Sequence, residues 1–94
     1  MRRRVIVLPE AEVDLSRLEA FLADKSLRAA NRAAATLFQA VRSLGENSER
    51  RPVISSLGLR ELPVRFGRDG YIIQYRILGD AVHVGRIFHA REDR

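Results

Sequence analysis

Only two residues, Gly79 and Asp80, separate two runs rich in strand-forming side chains, residues 71–78 and 81–88. So short a connection demands a tight antiparallel hairpin, and glycine in first place is what a type II′ turn requires. The turn sets a register in which Leu78 faces Ala81, Ile77 faces Val82, Arg76 faces His83 and Tyr75 faces Val84. Tyr71, Ile73, Tyr75 and Ile77 then share the core face of the first strand. Strict alternation would carry Arg86 onto that same face, opposite Ile73. A buried, unpaired guanidinium is expensive. Either Gly85 marks a bulge that returns Arg86 to the outer face, or a specific acidic partner holds it, and the bulge is the preferred reading. Alternation alone places Tyr71, Tyr75 and Phe88 among the packing residues rather than as stacking platforms for bases.

The rest of the chain supplies what such a hairpin packs against. Val5 to Leu8 are four consecutive apolar residues, a pattern that predicts a strand buried on both faces or nearly so, ended by Pro9. Residues 10–23 then read as a helix. Ala11, Leu15, Leu18 and Leu22 form one stripe with Phe21 beside it, while Glu10, Glu12 and Asp14 complement the helix dipole. Ser26 is the expected N-cap of a second helix, whose stripe is Ala30, Ala34, Leu37, Val41 and Leu44, with Gly45 as its C-cap. The short connector Asp24-Lys25-Ser26 makes the two an antiparallel hairpin. Residues 45–58 read as a loop. Leu62, Val64 and Phe66 share a strand face with Arg60 beyond them, and Pro63 places that strand at an edge or turns its own amide away from the partner strand. Gly67-Arg68-Asp69-Gly70 is the turn into residue 71. The expected fold is α+β in one domain, residues 1–94. An N-terminal strand and an antiparallel helical hairpin come first, and a three-stranded antiparallel meander completes a mostly antiparallel sheet.

Charge is distributed unevenly. The net charge is +5, with +3 on residues 1–4, −2 on residues 5–49 and +5 on residues 50–91. A basic second half favours an acidic partner, either nucleic acid or protein. There is no cysteine, so disulfides, thiolate metal sites and cysteine nucleophiles are excluded, and a reducing compartment suits the chain. The apolar run after Met1-Arg2-Arg3-Arg4 is too short for a signal peptide or a membrane span. The expected location is the cytoplasm, with no membrane partner. His83 and His89 lack ligand spacing, and Glu92 and Asp93 read as a solvated tail, so no metal or cofactor is expected. His89 beside Arg91 could place an acid or base next to a phosphate. Arg68, Arg76, Arg86 and Arg91 could converge on one end or face of the sheet.

Three stretches, in this order, resemble a known family. They are Leu57-Gly58-Leu59-Arg60-Glu61-Leu62-Pro63, Gly70-Tyr71-Ile72-Ile73-Gln74-Tyr75-Arg76-Ile77 and Val82-His83-Val84-Gly85-Arg86-Ile87-Phe88-His89-Ala90-Arg91. With Leu8-Pro9-Glu10-Ala11 opening the first helix, the whole chain is similar to the ParE branch of the ParE/RelE toxins of type II toxin–antitoxin pairs. The resemblance implies a RelE/ParE-like fold and a ParD-like cognate antitoxin bound in a tight hetero-oligomer. It also implies DNA gyrase as target, inhibited by binding and without catalytic residues, and direct nucleic-acid contact only through the antitoxin complex. Arg60, Arg68, Arg76, Arg86, His89 and Arg91 are the candidates for binding antitoxin or target.

RelE-type relatives instead cut messenger RNA in the ribosome, and carry an arginine directly after the Gly-Tyr of the strand matching Gly70-Tyr71. Here that residue is Ile72, which cannot stabilise a phosphate. The alternative is therefore a ribosome-dependent endoribonuclease using Arg68, Arg76, His89 and Arg91. A second alternative is a non-toxic regulator of its own operon, bound to antitoxin.

Overall fold

In the computed structural model, which describes residues 2–92, Pro9 stops the first strand and starts the first helix. Its fixed φ and missing N–H suit the first helical turn and no central strand position. The elements are β1 (Arg4–Val7), α1 (Pro9–Ala23), α2 (Leu27–Asn47), a short 3₁₀ turn (Ser48–Arg50), β2 (Arg60–Val64), β3 (Tyr71–Leu78) and β4 (Ala81–His89). The four strands form one sheet in the order β1-β4-β3-β2. The two pairs of the meander are antiparallel, and β1 lies parallel to β4. Both helices cover one face. Ala33, Leu37, Val41 and Leu44 of α2 and Leu18 of α1 pack there on Leu62, Val64, Tyr71, Ile73, Tyr75, Val82, Val84 and Ile87.

The hairpin register is as expected from Leu78–Ala81 to Tyr75–Val84. Gly79 takes φ +61° and, among the described residues, none other than glycine has a positive φ, as a type II′ turn requires. The register then shifts between Gln74 and Tyr75. Gly85 is unmatched, so Arg86 pairs with Gln74 and Ile87 with Ile73. The bulge at Gly85 is real, and it sends Arg86 outward. It also overturns one reading by alternation: Phe88 sits opposite Ile72 on the outer face and is half-buried, while Ile87 takes the core position. Pro63 lies on edge strand β2, exposed.

Three further expectations change. β1 is not buried on both faces but is a half-buried edge strand, because α2 covers only its inner side. Gly45 is not a cap. The helix continues to Asn47, and Gly45 is where it crosses the start of β1, accepting a hydrogen bond from Arg3 N–H at 2.6 Å. A Cβ at that position would stand 3.1 Å from the Arg3 carbonyl, so a side chain would push strand and helix apart. Finally, Ala33 rather than Ala34 joins Ala30 as a buried alanine of the α2 stripe, with Ala34 half-buried. Ser26 caps α2 as expected, accepting from Ala29 N–H at 3.1 Å.

The β2–β3 turn depends on Gly70. It takes φ +85°, and a Cβ there would fall 2.1 Å from the Val64 carbonyl oxygen. Both the backbone angle and the space exclude a side chain. This turn places Arg68 and Asp69 beside the C-terminal end of β4, where the Ala90 N–H donates to the Gly70 carbonyl at 2.9 Å. No helix among the described residues is long and apolar enough to cross a membrane.

Candidate functional site

Where β1 stops at Val7, β4 continues for several more residues, and its outer edge has no strand beside it. Helix α1 fills that place. Asp14, on the helix face turned to the sheet and 3% exposed, accepts a hydrogen bond from Ile87 N–H at 2.8 Å. A carboxylate thus replaces the missing strand partner and covers an otherwise open edge. The same carboxylate receives Arg86 through both oxygens, Nε at 2.8 Å and a terminal nitrogen at 3.1 Å. Arg17 approaches it at 3.7 Å. Burial opposes ionisation of Asp14, but the hydrogen bonds from Arg86 and the Ile87 amide, with the nearby positive charges, hold its pKa below 3.8. Arg86 also lies over the Phe88 ring, 4.9 Å from its centroid. Arg86 thus has both the bulge that turns it outward and an acidic partner that holds it.

Asp14 was legible as more than a dipole residue. It falls three residues after Ala11 and four before Leu18, which puts an acid on the buried stripe.

Next to this lock is a cleft of about 630 Å³ between α1, the β2–β3 turn and the end of β4. Its apolar walls are Leu18, Phe21, Leu22, Phe66 and Tyr71. Phe21, read as part of the helix's apolar stripe, is 62% exposed at this rim, because the sheet ends before reaching it. Around the mouth stand Arg17, Arg68, Asp69, His89, Arg91 and Glu92. Three candidates, Arg68, His89 and Arg91, are therefore brought together.

Each of these groups has defined surroundings. Tyr71 packs on Phe66 and receives the His89 ring edge-on at 5.7 Å, and burial pushes its phenol pKa up. His89 Nδ1 accepts from the Arg91 N–H at 3.3 Å, which leaves Nε2 to carry the proton of a neutral ring. Arg91 faces Asp69 at 3.8 Å. Glu92 is no solvated tail residue. It takes both terminal nitrogens of Arg17, at 2.9 and 3.3 Å, and the His89 N–H at 3.1 Å. Burial opposes its ionisation, yet these bonds bring its pKa below 4.5. The local reason is β4 ending at His89, which frees the chain to fold back on α1. Asp93 lies outside the described residues.

The other candidates are elsewhere. Arg76 faces His83 on the outer side of the sheet, one row from the Gln74–Arg86 pair. Arg60 lies opposite Tyr75 on the inner side, and its guanidinium donates to the Arg51 carbonyl. The expected convergence of Arg68, Arg76, Arg86 and Arg91 does not occur, because alternation and the bulge divide them between two surfaces. Ile72 sits on the outer face in a cross-strand row between Pro63 and Phe88. Among the described residues no group of three His, Asp or Glu could hold a metal ion.

A fold of this kind is shared with known proteins. The chain superposes on a chain of the chromosomal ParDE system from P. aeruginosa with a TM-score of 0.82, covering 96% of this chain and 98% of that one at 18% identity. A chain of the toxin–antitoxin complex RelBE2 from Mycobacterium tuberculosis gives 0.68, covering 95% and 99% at 22% identity. In sequence, the chain is 39% identical over 90 residues to Toxin RelE1 of Caulobacter vibrioides, covering 96% of each chain. It is also 39% identical to Toxin RelE3 of the same organism over 88 residues, 92% of each. Residues 5–94 match the family model described as the ParE toxin of the type II toxin–antitoxin system parDE. This chain therefore belongs to the ParE toxin family of type II toxin–antitoxin systems.

Proposed function

We propose that the protein is a toxin that arrests replication by binding DNA gyrase and is neutralised by a cognate ParD-like antitoxin. The observation that carries this reading is the row Pro63–Ile72–Phe88. A ribonuclease of RelE type needs a cation at Ile72, where charge develops on the phosphate during in-line attack. Here the position is isoleucine, flanked across the strands by proline and phenylalanine. Such a surface packs against protein and does not cradle an oxyanion. The cations at the cleft mouth are already matched, Arg91 by Asp69 and Arg17 by Glu92. Arg68 is exposed and in no ion pair among the described residues.

The cleft's apolar walls and its unpaired Arg68 suit a partner tail that offers apolar side chains and a carboxylate, which is how an amphipathic antitoxin segment would bind. Changing Arg68 to glutamate is expected to weaken antitoxin binding by about tenfold or more, measured by titration calorimetry. An unchanged affinity would place the antitoxin elsewhere. Arg86→Glu is the wrong probe, because it would unpair Asp14 and report on folding.

The second reading, a ribosome-dependent endoribonuclease, is favoured by the meeting of Arg68, His89 and Arg91 at one cleft. Purified protein separates the two readings. The expected result is linear, gyrase-linked DNA trapped after detergent and protease treatment, with ribosome-bound message intact. Message cut at the ribosomal A site, with no trapped DNA, would establish the nuclease.

A further inference from the structure

Between the 3₁₀ turn and β2 the chain makes a surface turn that exposes three large aliphatic side chains. Val53 is 51% exposed, Ile54 54% and Leu57 68%. Single exposed aliphatics are ordinary, but three on one short turn make a concentrated apolar knob. The turn is built to hold them outward. Ile54 N–H donates to the Leu59 carbonyl at 2.7 Å, and Gly58 N–H to the Ser55 carbonyl at 3.0 Å. The Ser55 hydroxyl accepts from the Leu57 and Leu59 amides at 3.2 and 3.3 Å. At its base, Arg51 Nε donates to the Glu61 carbonyl and Arg60 to the Arg51 carbonyl, which ties the two ends together. A preorganised knob loses little conformational entropy on docking.

Charge surrounds it. Arg50 donates to the Ser43 hydroxyl and the Asn47 carbonyl. Arg50, Arg51 and Arg60 thus spend their hydrogen bonds on neutral oxygens, and among the described residues none of the three is in an ion pair. Glu49, their neighbour at this end, is held by Arg3, and the three guanidiniums raise a positive field beside the knob. An apolar knob beside three guanidiniums is complementary to an apolar pocket rimmed by carboxylates. The turn has no aromatic ring on which a base could stack.

We propose that this turn is the anchor by which the toxin engages its target, an acidic protein surface with an apolar pocket. The inference rests on the reading that the toxin acts by binding a protein. The turn precedes β2, whereas the cleft lies beyond its far end, a strand length of roughly 15 Å away. Toxicity therefore depends on the turn and antitoxin affinity on the cleft.

The test uses the full chain with two variants, Ile54→Ser/Leu57→Ser and Arg50→Glu, each checked for an unchanged melting transition. Both should need about tenfold more inducer to halve growth in cells without antitoxin, and both should keep antitoxin affinity within about threefold. Unaltered toxicity, or antitoxin affinity lost in step with it, overturns the proposal, as does a wild type that does not arrest growth. Flotation of the wild type, but not the serine variant, with phosphatidylglycerol vesicles would show the knob to be a lipid contact instead. Gyrase trapping separates this proposal from the one it rests on. Equal trapping by wild type and variants ends the proposal alone. Growth arrest without trapping by the wild type ends the gyrase reading, and the loss of toxicity in the variants still decides the role of the turn.

Discussion

Alanine in place of Tyr75 is expected to destabilise the fold by about 4 kcal/mol, the cost of truncating a large aromatic side chain in a core. Tyr75 is 0% exposed, in the middle of the sheet's inner face. Its hydroxyl also donates to the Ser48 carbonyl at 2.7 Å. That carbonyl lies just past the end of α2, where helix geometry leaves acceptors without donors. The ring fills the core and its tip terminates a helix. Tyr75→Phe separates the two effects and should cost about 1–2 kcal/mol, the penalty for a buried acceptor left without its donor. Urea denaturation of the pair measures both. Equal losses for phenylalanine and alanine would mean that the hydroxyl, not the ring, carries the stability.

Asp14→Ala is the second large effect, expected at about 3 kcal/mol. Removing one partner of a buried ion pair commonly costs about 3–5 kcal/mol, and the lower end applies because Arg86 is half in solvent and keeps its hydration. The alanine variant also leaves Ile87 N–H with no acceptor at the open edge of β4. Asp14→Asn keeps an acceptor for that amide but loses the charge, so it should fall between wild type and alanine.

The pH dependence follows from the same group. In the folded protein Asp14 titrates below its ordinary 3.8, so the unfolded chain binds more protons across that interval. The ionised pair stabilises fully above pH 3.8, and its contribution disappears as pH falls through the folded value. Glu92, held below 4.5 by Arg17 and the His89 amide, acts with the same sign. Unfolding free energy of the wild type should therefore drop below about pH 4 more steeply than that of Asp14→Asn. Parallel acid limbs for the two proteins would contradict this account.

Much of the sheet was readable from local chemistry. Gly79-Asp80 admits one kind of turn, and a two-residue turn leaves one register. Period-two alternation then assigns Tyr71, Ile73 and Tyr75 to the core without knowledge of what covers them. The bulge at Gly85 was readable for an energetic reason, since the alternative buried Arg86. Ser26 and Pro63 were placed correctly because a cap and a missing amide act within a turn or a strand. The helix stripes were read well where the sheet lies beneath them, and less well at Phe21, where it does not.

The candidate site was only partly readable. His89 and Arg91 are neighbours in the chain, and Arg68 joins them because the β2–β3 turn reaches the end of β4. Arg76, Arg86 and Arg60 do not join them, since their faces depend on the register on both sides of a bulge.

The amino-acid sequence by itself determined the family, the order of elements, the meander, the β3–β4 register next to its turn and the core faces of Tyr71, Ile73 and Tyr75. These rest on interactions between residues close in the chain, where turn geometry and side-chain period leave few choices. Tertiary structure alone decided that β1 lies parallel to β4 at an edge, that Gly45 lets α2 cross it, and that Asp14 takes the place of a strand partner for Ile87. It also decided that Glu92 folds back to Arg17. Each of these joins groups far apart in sequence, and such pairings are chosen by the packing of helices on the sheet and the exclusion of water between them, which no local pattern records.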